Sequence, residues 1–239
     1  MGGFKRRVVR VNLVYAGFKN VRTFRFRLCR AAAGAFLAFL FGPSEPSPLD
    51  EKSLRHLQAM RRGPSLLLTA HFHNWEKLGE SLGVYGVPVL AAAQPLRRSW
   101  ANRVLIRARR RLGISPVSDS VPRKALRHLR DEGCFVFLWD QHSPDSRQEG
   151  VFLGRSVRVN PLPIFLMRHE PVPVFFGALD PIRGLRLIPL MHGWNGDWEK
   201  RLIRRYHRLL EVLVRRHPEY WYGFFHRRFK NSAVYLARP

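Results

Sequence analysis

Acidic side chains are scarce in this 239-residue chain and absent from its first 44 positions. Seventeen Asp and Glu stand against 42 Lys and Arg, a formal net charge of +25. Such a balance says little about fold but predicts partners: nucleic acid, an anionic membrane surface or an acidic protein carrier. Cysteine is nearly missing too. Cys29 and Cys134 stand alone with no CxxC spacing, which excludes a stapled secreted framework and fits two thiols in a reducing compartment. Long apolar runs are also lacking. The stretch AAAGAFLAFLFG at 31–42 is too short to span a bilayer, which takes about 20 residues, and the long basic stretch before it is unlike a signal peptide.

What is present suffices for one sizeable core. The chain is 46% hydrophobic and 12% aromatic, and one domain is the natural expectation at this length. Phe4, Val8, Val11, Tyr15 and Phe18 recur at helical spacing beside Lys5, Arg6, Arg7 and Arg10. That pattern describes either an amphipathic basic helix lying on an anionic membrane or a helix packed on the core with a solvated arginine face. GPSEPSPLD at 42–50 is dense in Pro and Ser and reads as a linker. It divides a basic, membrane-associating helical arm (1–44) from a main domain (50–239). In the main domain helical segments (about 50–61, from 74 or 75, 99–113, 120–133, about 160–170 and 197–216) alternate with strand-like ones (65–70, 87–93, 134–140, 172–180 and 185–191). Ser120 is the expected start of the 120–133 helix and Gly133 its end. Unbroken apolar strands between helices imply an α/β fold with a mixed central β-sheet flanked by helices. In such sheets the chemistry gathers at the carboxyl ends of strands, where His71 and Asp140 lie.

The stretch LLLTAHFHNWEKLG at 66–79 carries the chemistry. On one helix His71 and Glu76 would point about 140° apart. If His71 ends a strand and the chain turns into a helix, the carboxylate folds back onto the ring, fixing the tautomer and leaving Nε2 as a general base. A second reading makes His71, His73, Asp140 and His142 a metal site of a metal-dependent hydrolase. A third, resting on charge alone, is a basic nucleic-acid-binding protein, for which no RNA-binding motif is present.

TAHFHNWEKLG resembles the first block of the bacterial lipid A biosynthesis (late, or secondary) acyltransferase family, whose signature is His, four residues, then an acid (HX4E). RRRLGISPV (109–117), RKALRHLRDEGCFVFLWDQ (123–141), GVFLGRSVRVNPLPIFLMRHEPVPVFFGAL (150–179) and HPEYWYGFFHRRFK (217–230) follow in the family's order. The resemblance implies the glycerolipid acyltransferase fold. It also implies transfer of a fatty acyl group from acyl carrier protein or acyl-CoA to a hydroxyl of a lipid or glycolipid acceptor such as a lipid A precursor. The implied place is peripheral, at the cytoplasmic face of the bacterial inner membrane, with an anionic membrane surface as partner, no nucleic acid, and neither metal nor other cofactor. His71 would be the base and Glu76 its orienting, charge-balancing partner. Asn74, Asp140, Gln141, Arg155, Arg158 and Arg228 would contact substrate, with helix-capping roles as the plain alternative for Asn74 and Asp140. The chain departs from the family pattern at Gln94, where an arginine is common, and in the shortened GVFLGR. It is also expected to begin just after the family's usual N-terminal transmembrane helix.

Overall fold

Leu66, Leu67 and Leu68 send their side chains alternately to two cores, the first and third to one face of a sheet and the second to the other. This is why the strand reads as an unbroken apolar run: both of its faces are covered. The computed structural model describes residues 3–18, 20–42, 46–95, 98–191 and 193–226. In chain order the elements are α1 (Gly3–Tyr15), α2 (Val21–Phe41), α3 (Glu51–Arg62), β1 (Ser65–Thr69), α4 (Trp75–Val84), β2 (Val89–Ala92), α5 (Ser99–Arg111) and β3 (Ile114–Val117). There follow α6 (Val121–Arg130), β4 (Cys134–Leu138), β5 (Glu149–Phe152), β6 (Arg155–Arg158), α7 (Leu162–His169), β7 (Val174–Asp180), β8 (Gly184–Pro189) and α8 (Trp198–Arg216), and then two short 3₁₀ turns at Pro218–Tyr220 and Tyr222–Phe225.

Six strands form the central sheet in the order β3-β2-β4-β1-β7-β8. The first five run parallel and β8 pairs antiparallel with β7, so the sheet is mixed, as expected. The parallel strands therefore deliver their carboxyl ends to one edge. Register then does the positioning. Thr69 pairs with Leu138 across β1 and β4, so His71 and Asp140, each two residues further on, arrive side by side.

Three strands were not read from the sequence. β3 contains Pro116, which is tolerated because the strand is at the sheet edge. The β5–β6 hairpin turns on Leu153 and Gly154, both at positive φ (51° and 72°), a turn that usually announces itself with Asn-Gly or Asp-Gly. Ser120 does precede α6, but in a left-handed conformation and without a side-chain cap. Pro122 in the first helical turn supplies the start instead. α6 ends at Arg130, short of the expected Gly133, and Glu132 takes the left-handed turn; at Gly133 a side chain would run into the ring of His128.

The arm is joined to the body. Val9 and Leu13 of α1 and Leu28 of α2 are fully buried in the same core as β1 and β7, and Phe39 of α2 belongs to the core on the other side of the sheet. Asn12, also buried, donates from Nδ2 to the carbonyls of Phe224 (2.8 Å) and His226 (2.6 Å). Of the stripe read from the sequence, Val8 is buried and Val11, Tyr15 and Phe18 are half-buried, while the Phe4 side chain lies outside the described residues. Past residue 45 the linker is packed too: Leu185 N–H donates to the Pro48 carbonyl and Ser47 is buried against Ser81. Both cysteines are free, and burial pushes the Cys134 thiol up to about 12.

Candidate active site

β1 ends at Thr69, and the chain then bends sharply before α4 begins. The bend is held by a strap formed by residues 220–222: His73 N–H donates to the Tyr220 carbonyl and Tyr222 N–H to the His71 carbonyl, both at 2.8 Å. Asn74 caps α4, accepting from Lys77 N–H at 3.1 Å. Its structural role is the helix cap, and it also borders the cavity described below.

His71 Nδ1 lies 2.7 Å from Asp140 Oδ1, and His71 backbone N–H donates to Asp140 Oδ2 at 3.0 Å. Trp221 Nε1–H donates to the same Oδ2 at 2.9 Å. The Asp140 side chain is fully buried while a fifth of the His71 side chain is exposed. A carboxylate at that distance keeps the proton on Nδ1 and leaves Nε2 as an acceptor. The Gln141 amide lies 3.3 Å from Nε2. Burial alone would pull the His71 pKa down. The charge and hydrogen bond of Asp140 outweigh it, aided by Glu76 and opposed by Arg109, and the net shift is upward.

The carboxylate on the imidazole is therefore Asp140, where the sequence led us to expect Glu76. Glu76 sits in the first turn of α4 and faces α5, where Arg109 grips it with two hydrogen bonds, Nε to Oε2 (3.0 Å) and Nη2 to Oε1 (2.5 Å). Its effect on His71 is through space, by charge. Both side chains of the Glu76–Arg109 pair are largely buried. Sequence reasoning did not single out Arg109 or Trp221. Arg109 is one of three consecutive arginines with no local mark to set it apart, and Trp221 lies 81 positions from the aspartate it holds.

His71, Asn74, Glu76, Arg109 and Gln141 line a cavity of about 860 Å³. Its apolar walls come from strand ends (Ala92, Val117, Phe137), from α2 (Ala32, Ala35, Phe36, Phe39) and from Leu105 of α5. Tyr222 borders it with a buried hydroxyl that has no partner among the described residues. Burial and Tyr220 push its pKa up, so the phenol keeps its proton. Gln94, the departure from the family pattern, is on the same wall.

Other expected site residues fall elsewhere. Arg155 stacks over the Tyr15 ring at 4.1 Å and Arg158 donates to the Pro144 carbonyl at 2.8 Å; neither lines the cavity. Arg228 lies outside the described residues. His73 adopts a left-handed backbone and packs edge-on against Tyr220, at 4.6 Å between ring centroids. With His73 turned aside, the ligand set of the metal reading is not assembled, and no group of three potential ligands is found among the described residues.

Residues 48–231 match the family described as bacterial lipid A biosynthesis acyltransferase. No curated protein matches the chain.

Proposed function

The chain belongs to the bacterial lipid A biosynthesis acyltransferase family, and from that premise we propose that it transfers a fatty acyl group from a thioester donor to a hydroxyl of a lipid or glycolipid acceptor, with His71 as general base. The observation that carries this reading is the His71–Asp140 contact at 2.7 Å, with His71 lining a cavity whose walls are largely apolar. An acceptor O–H in place of the Gln141 amide gives its proton to Nε2. The oxygen attacks the thioester carbonyl carbon, and the tetrahedral oxyanion collapses with cleavage of the C–S bond. The leaving thiolate then takes the proton back from Nε2. Asp140 balances the imidazolium in between, the role that a buried carboxylate plays beside a catalytic histidine. Gln141 remains beside the reaction as a donor toward the oxyanion, an interaction whose loss costs about 10²- to 10³-fold in rate.

Glu76 is given a double part: it adds to the negative potential on His71 and fixes Arg109 at the cavity wall. The proposed donor is acyl carrier protein or acyl-CoA, and the proposed place is peripheral, at the cytoplasmic face of the bacterial inner membrane. Among the described residues no helix is long and apolar enough to cross a membrane, and the +25 charge suits both an anionic leaflet and an acidic carrier.

The test is mass spectrometry of lipids from cells carrying wild-type or His71→Ala alleles, paired with turnover by the purified proteins. His71→Ala is expected to lose transfer by about 10²- to 10⁴-fold and to leave a lipid lacking one acyl chain. Glu76→Gln is expected to lose on the order of 10². Equal product from wild type and His71→Ala would sink the mechanism.

A further inference from the structure

α5 has no buried residue along its 13 positions, yet it carries large apolar side chains. Trp100 (59% exposed) and Val104 point outward among Arg103, Arg107, Arg110 and Arg111. α2 shows the same combination. Phe26, Arg30, Ala33, Leu37 and Phe41 follow one another at three- and four-residue steps, which places them on one helix face. All five are exposed, Phe26 at 67% and Phe41 at 80%. The opposite face of α2 supplies Leu28 and Phe39 to the two cores. Phe41 and Leu40 meet Trp100, Arg103, Val104 and Arg107 around one groove, so the end of α2 and α5 present a single surface. Arg30, Arg103, Arg107, Arg110 and Arg111 have no acidic partner among the described residues. Exposed rings beside uncompensated arginines are costly in water and favourable at an anionic lipid interface.

These two helices also wall the catalytic cavity: Leu105 and Arg109 turn inward from α5, and Ala35, Phe36 and Phe39 from α2. Phe36 is more than half exposed, which makes it the rim between cavity and surface. We propose that the α2–α5 face, and not α1, is the surface that docks on an anionic bilayer, and that a lipid passes from the leaflet between α2 and α5 into the cavity. The passage of lipid rests on the acyltransferase reading; the docking itself does not. α1 is poorly suited because Val8, Val9 and Leu13 are already buried in the protein.

The experiment is co-sedimentation of the full chain with vesicles of phosphatidylglycerol and phosphatidylcholine, against phosphatidylcholine alone. Two double variants probe the face: Phe41→Ser with Trp100→Ser, and Arg103→Glu with Arg107→Glu. The control makes the same charge change on the exposed side of α8, whose apolar side is buried in the core with Leu66 and Leu68, with Arg204→Glu and Arg208→Glu. Wild type and control are expected to sediment with anionic vesicles, and both face variants to bind about tenfold or more weakly. Turnover on soluble donor and detergent-dispersed acceptor should be unchanged in the face variants, since none of the four residues lines the cavity. Binding of the face variants equal to wild type overturns the proposal, as does an equal loss in the α8 control. A wild-type dimer that the face variants convert to monomer also overturns it, by making this an interface between copies. Because His71→Ala is expected to bind vesicles normally, failure of the catalytic reading and failure of the docking reading are separable.

Discussion

At the scale of single residues the Asp140 carboxylate sets the chemistry of His71. It holds both the ring and the backbone N–H of His71, and it raises the pKa against the opposing effect of burial. Since the base must be neutral, kcat/KM should rise with pH as His71 loses its proton, with a midpoint above the ordinary value of 6.5. In Asp140→Asn the main raising influences are gone, only the charge of Glu76 remains against Arg109 and burial, and the midpoint should move to lower pH. The plateau should fall by about 10²- to 10⁴-fold, because the amide no longer enforces the Nδ1–H tautomer. A pH–rate profile of both proteins reads the two effects separately, and an unmoved midpoint would remove Asp140 from control of the base. This site was half legible in the sequence. His71 and Asp140 stood out because an apolar strand ends at each of them, and Gln141 only through the family resemblance. The identity of the partner carboxylate was not legible. It depends on which strands are neighbours and in what register, and the pairing of Thr69 with Leu138 leaves no mark within either segment alone.

Among the elements, the long apolar strands and the amphipathic helices could be read directly, because their burial on two faces or one is written into their periodicity. Short edge elements such as β3 and β5–β6 escaped for lack of length and turn chemistry. The least legible element was α1. Its apolar spacing is equally consistent with a membrane surface and with a protein core, and only packing decides between them. Leu13 is fully buried, so Leu13→Ala should cost about 2–5 kcal/mol. For a chain of this size that is a drop of roughly 4–20 °C in Tm, measured by calorimetry or circular dichroism. Vesicle binding at temperatures where the variant is folded should be unaffected. A variant with wild-type Tm and weakened vesicle binding would reverse the assignment of α1.

Over the whole molecule the excess positive charge acts at distances no single contact reaches. Two recipients are proposed for it, a leaflet and an acidic carrier protein, and they can be pulled apart by working in detergent, where no leaflet exists. Electrostatic steering raises association rates most at low salt, because the screening length falls from about 30 Å at 0.01 M to about 3 Å at 1 M. With acyl carrier protein as donor, kcat/KM should fall steeply across that range. With a neutral acyl-pantetheine thioester it should change little, since the chemical step and the cavity are the same. Only the difference between the two slopes reports on the carrier. A steep difference means that the arginine-rich surface recruits an acidic protein; parallel slopes mean that the charge serves the membrane alone, and that the acyl group comes from a donor bound by its thioester and chain.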